Sequence, residues 1–91
     1  MTPLKMSDAI RFLEAKGISR NCPACGHDKC NLINEEEADM HFALPGFRLG
    51  GDYDINRADM MGLFVVTCAD CGFVRFFHRA TIVNWAEQNP G

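Results

Sequence analysis

Cys22-Pro23-Ala24-Cys25-Gly26 and Cys68-Ala69-Asp70-Cys71-Gly72 are two copies of one pattern, Cys-x-x-Cys-Gly, with 42 residues between Cys25 and Cys68. Two residues between thiols let a tight turn aim both sulfurs, and several backbone N–H groups, at one centre. The glycine that follows supplies positive φ where the chain reverses. Two such turns brought together offer four sulfurs, the tetrahedral set that Zn²⁺ prefers. The same soft donors suit iron and disfavour Mg²⁺ and Ca²⁺. Spacing does not separate zinc from iron, and zinc is the commoner occupant. A pair of disulfides would require an oxidising compartment, and residues 1–13 show no export signal. A thioredoxin-like motif would need one pair, in a βαβ setting. The expectation is one Zn²⁺ per chain, structural, held by Cys22, Cys25, Cys68 and Cys71. Four protein thiolates close the shell and leave no position for water or substrate.

A metal staple also suits the size of the chain. Its 91 residues allow one domain, residues 1–91, and a core this small falls short of the entropy it must offset. With 47% hydrophobic residues the sequence is that of a folded chain, and no apolar run is long enough to span a membrane. A reducing, cytoplasmic location follows from the reading of the cysteines as thiolates. The fifth cysteine, Cys30, reads as a free, partly buried thiol. His27 follows the first turn but is not needed to complete the ligand set.

Outward from the two turns, Leu63-Phe64-Val65-Val66-Thr67 is the clearest strand, β-branched and aromatic. Residues 73–78 return as the second arm of a hairpin. Residues 30–34 form a short strand, residues 35–39 an acidic turn, and residues 40–44 a weakly alternating strand. Pro45-Gly46 and Gly50-Gly51 mark turns, and residues 52–61 read as loop. A helix is expected over 7–17, with Ser7 as N-cap and Gly17 past its end, and another over 79–88. The organisation is a ribbon over 20–78 with an insertion over 35–61, between two flanking helices.

The formal charge is −3 and unevenly spread. Residues 1–34 have five basic and three acidic side chains, whereas residues 35–62 have two basic and seven acidic. An acidic chain is not a strong nucleic-acid binder over its whole surface, since phosphate affinity comes from Lys and Arg. No carboxylate pair, nucleophile–base arrangement or phosphate-cradling loop stands out, so an enzyme with a small-molecule substrate is not expected.

The two cysteine turns, together with Phe64-Val-Val-Thr-Cys68 before the second and Gly72-Phe-Val-x-Phe-Phe after it, resemble zinc-ribbon proteins. They are most similar to small bacterial and phage zinc ribbons described as nucleic-acid-binding. The resemblance covers residues 20–34 and 62–78. It implies a three-stranded antiparallel sheet, with each turn a knuckle at the tip of a hairpin.

Three functions are expected from these readings. The first is a non-catalytic module that binds a protein partner or a second copy of itself. Its motive is the apolar excess outside the knuckles: Met40, Phe42, Leu44, Phe47, Met60, Met61, Phe76, Phe77 and Trp85. The second is a nucleic-acid-binding ribbon, using aromatic and arginine side chains. The binding surface expected for either is Phe73, Arg75, Phe77, Arg79 and Trp85. The third is an acidic mimic of nucleic acid built on residues 35–62.

Overall fold

The run of β-formers at 63–67 is the axis of the fold. The computed structural model describes residues 2–91 and is a small α+β arrangement of four antiparallel strands and three α-helices. Strand β3 (Asp59–Cys68) pairs with each of the others: β1 (Cys30–Leu32), β2 (Phe42–Gly46) and β4 (Val74–His78). The register places both Phe42 and His78 opposite Leu63, and both Leu32 and Arg75 opposite Val66. Strand β4 therefore occupies one edge of β3, and β1 and β2 follow one another along the other edge.

Strand β3 is longer than propensity suggests. Residues 59–61, expected as loop, are held in the strand by β2, which continues through Pro45 and Gly46 although that pair reads as a turn. Proline is tolerated there because β2 is an edge strand and needs no inward N–H at that position. The sheet accordingly has four strands, not three. Residues 35–39 also differ from expectation. Glu35–Ala38 is a short helix, α2, because the Asn34 side chain accepts the N–H groups of Glu36 and Glu37. Within the expected loop, Ile55–Arg57 forms a 3-10 turn capped by Asp54.

Helix α1 (Met6–Ala15) begins one residue before Ser7, which lies inside it and does not cap it. Its end closes as a Schellman cap: the Ile18 N–H donates to the Leu13 carbonyl at 2.9 Å and the Gly17 N–H to that of Glu14 at 3.1 Å. Helix α3 (Arg79–Gln88) follows β4 without a linker. None of the described helices is long and apolar enough to cross a membrane.

The two faces of the sheet are treated differently. Leu4, Ala9 and Phe12 meet Ile82 of α3 over Phe64 and Val66, with Leu32 and Phe77 packed against them. Phe12 and Trp85 meet edge to face, with ring centroids 5.7 Å apart. Side chains alternate along a strand, so Leu63 and Val65 point to the opposite face. There they are only 5% and 6% exposed, with Phe42, Phe76 and His78 as their cross-strand neighbours.

A buried ion pair ties the ends of this arrangement together. The Glu35 carboxylate accepts Nε of Arg79 at 2.9 and 3.1 Å, a terminal guanidinium N–H of Arg79 at 2.8 Å, and the Leu4 N–H at 2.8 Å. Arg79 also donates to the Thr2 carbonyl at 2.9 Å. Burial alone would favour the neutral acid, but the forked Arg79 guanidinium and the Leu4 amide hold the Glu35 carboxyl below the usual carboxylate range.

Candidate metal centre

Both Cys-x-x-Cys-Gly turns adopt one hydrogen-bonding pattern. In the first, the Cys22 N–H donates to the His27 carbonyl at 3.0 Å and the Gly26 N–H to the Cys22 carbonyl at 2.7 Å. In the second, the Cys68 N–H donates to the Phe73 carbonyl at 2.8 Å and the Gly72 N–H to the Cys68 carbonyl at 2.9 Å. Gly26 and Gly72 have φ of +78° and +83°, a region L side chains rarely occupy. The second turn joins β3 to β4. The first has no strand before it and follows the Schellman cap of α1 through residues 19–21, so only one knuckle sits at a hairpin tip.

The two turns face each other. The Ala69 N–H donates to the Lys29 carbonyl at 2.9 Å, and the His27 imidazole is hydrogen-bonded to the Asp70 carboxylate across the gap. The sulfurs of Cys22 and Cys71 lie 3.6 Å apart and those of Cys25 and Cys68 3.7 Å apart. All four sulfurs fall within 4.8 Å of one another. None is in a disulfide. A tetrahedron with metal–sulfur bonds of 2.3 Å has edges of about 3.8 Å, so the cluster has the dimensions of a four-thiolate site for a divalent ion.

The electrostatics of the sulfurs agree with that geometry. Burial opposes ionisation of Cys22, but the N–H groups of Cys25 and Ala24 and the neighbouring sulfurs outweigh it and bring the thiol down to about 6. Cys68 is lowered in the same way, chiefly by the Cys71 N–H. The remaining pair moves in the other direction. The His27 N–H favours the Cys25 thiolate, yet burial and the other three sulfurs push it up to about 12. Cys71 is raised too, against the pull of the Phe73 N–H, by burial and by the sulfurs of Cys22 and Cys68. In each turn the thiolate is favoured at the first cysteine and opposed at the second, and a cation among the four sulfurs would favour all of them.

The fifth cysteine stands beside this cluster. Cys30 is directly opposite Cys68 in the ladder, but its sulfur accepts a hydrogen bond from Arg75 at 3.4 Å. Arg75 also donates to the Ser19 carbonyl at 3.0 Å, closing one side of a groove of about 360 Å³ between α1 and the sheet.

The five side chains expected to form a binding face are not one surface. Phe73 is exposed. Phe77 packs against the core under the helices, and Arg75 is tied to Ser19 and Cys30. Arg79 is 8% exposed and held by Glu35. Trp85 packs on Phe12 and lies 5.3 Å beneath the Arg11 guanidinium. The reason is alternation: Arg75 and Phe77 point to the helix-covered face of β4.

Four side chains of the expected apolar excess do share a surface, on the other face. Phe42, Leu44, Met61 and Phe76 flank Leu63 and Val65 there. Leu44 is 48% and Phe76 59% exposed. The available signal was the parity of residues 63–67, but the partner strand β2 had to be known to assemble the face.

Comparisons of the chain with protein-family models, with curated proteins and with solved structures find no match.

Proposed function

We propose that the chain is a zinc-ribbon module of the cytoplasm, non-catalytic, in which one structural Zn²⁺ held by Cys22, Cys25, Cys68 and Cys71 fixes a sheet that binds protein. The observation that carries the metal reading is the four-sulfur cluster with tetrahedral edge lengths. Zinc is favoured over iron as the commoner occupant of such a set, and four thiolates leave it no open position for catalysis. A site that exists only in the folded chain turns metal affinity into folding free energy.

The protein-binding half of the reading rests on the uncovered sheet face. Apolar side chains of this size, exposed together on rigid strands, mark a contact surface. Their centre carries no charged group, which suits a protein contact and gives a phosphate backbone nothing to hold. The nucleic-acid reading draws less support, since Arg75 and Arg79 of the hairpin and its following helix are engaged inside the fold.

A photo-crosslinking amino acid at position 76, introduced in the cell, tests the reading. Adducts with polypeptide are expected. Adducts with nucleic acid, or no adduct, would contradict it.

A further inference from the structure

We infer that the occupant of the uncovered sheet face is a second copy of this chain, packed sheet to sheet; this rests on the protein-binding reading above and names its partner. A globular monomer of 10.2 kDa exposes about 5300 Å², whereas this chain exposes 6417 Å². Its radius of gyration is 14.9 Å, against about 12 Å for a compact chain of this length. The excess of about 1100 Å² is close to the 800 Å² or so that each partner gives up in a standard interface.

Part of that surface lies on strand β2, which pairs with the first half of β3 and is exposed along its whole length, so Phe42–Gly46 and residues 59–61 form a two-stranded arm. Isolated two-stranded ribbons are marginal in water. This one carries Phe42, Leu44 and Met61 on the same side as Leu63, Val65 and Phe76. An arm of that composition requires cover whenever the chain is folded, and a second copy is the one occupant always present with it.

Charge points the same way. The acidic excess of the chain sits on α2 and the residue after it, at Glu35, Glu36, Glu37 and Asp39, outside the strands that form the apolar face. Residues 42–61 hold two arginines and three aspartates, a net of −1. Arg48 lies 3.5 Å from Asp59 and Arg57 3.8 Å from Asp54, so the arm and the loop that joins its strands neutralise most of their own charge. Two arms can approach without opposing like-charged walls, whereas a strongly basic or acidic partner finds little to complement. A two-fold axis would place the same apolar face on both copies, which is the self-complementary arrangement of closed dimers. Aligned packing of the two twisted sheets brings the faces about 10 Å apart.

Sedimentation equilibrium of the metal-loaded full chain, with the position-76 crosslink run in parallel, tests this. The expected mass is twice 10.2 kDa, with a crosslinked adduct of the same mass. Phe76→Ser and, separately, Leu44→Ser should each shift the equilibrium at least tenfold toward monomer while keeping one metal per chain, which shows that the fold survives. Wild-type protein that stays monomeric at 100 µM or so overturns the inference. So does a dimer that both variants leave unchanged. Monomer with an adduct to a different polypeptide sinks the second copy and leaves the protein-binding reading standing, whereas absence of any protein adduct sinks both.

Discussion

Cys30 and Cys68 stand directly opposite each other across the β1–β3 ladder, yet only Cys68 lends its sulfur to the four-sulfur cluster. The Cys30 sulfur turns to Arg75 instead. Two cysteines on adjacent strands therefore differ in what their loss should do. Cys68→Ser removes one of the four sulfurs of the cluster and should abolish cooperative unfolding in zinc-containing buffer. Cys30→Ser keeps a hydrogen-bond acceptor for Arg75 and should cost within about 1 kcal/mol. Urea titrations of both variants check the ranking, and equal losses would contradict it.

Gly72 offers a purely conformational test of the knuckle. A Cβ built there meets no atom within 4 Å, so a substitution is not opposed by packing. Its φ of +83° is the obstacle. Gly72→Ala should lower stability by about 1–2 kcal/mol through backbone strain alone. Gly72→Asn should cost less, because asparagine tolerates the left-handed region better. Denaturation midpoints of the zinc-loaded variants measure both, and an alanine variant as stable as wild type would refute the strain.

The Glu35–Arg79 pair predicts a dependence on acid. The Glu35 carboxyl is lowered in the folded chain, so its contribution is complete above its unfolded value of about 4.3 and is lost as pH falls through the lower folded value. Glu35→Gln leaves Arg79 buried without its counter-charge and should cost about 3 kcal/mol at neutral pH. The gap between wild type and this variant should close below pH 4 or so. Stability curves of the two proteins in excess zinc, from pH 7 downward, reveal the gap; one that widens in acid would oppose the assignment.

The parts of the fold that could be read from sequence are those set locally. The hairpin around the second knuckle follows from β-branched and aromatic residues on either side of a Cys-x-x-Cys-Gly turn. The four cysteines of the cluster follow from matched spacing. The strand at 40–44 was legible, but its continuation through Pro45-Gly46 and the start of β3 at residues 59–61 were hidden, because these residues are held extended by each other. Glu35 looked like one more solvated acid in a run of three, and Arg79 like a free cation. Their partnership spans 44 residues and appears only once α2 and α3 are placed. Phe77 and Arg75 looked available because alternation identifies which residues share a face but not which face the helices cover.

Native mass spectrometry of the chain purified without added metal, before and after a chelator, shows whether a single ion held by the four cysteines maintains the fold. One zinc ion per chain in compact charge states is expected, with conversion to unfolded charge states once the ion is removed. A metal-free chain in compact charge states, or one whose mass shows the four sulfurs joined as disulfides, would contradict it.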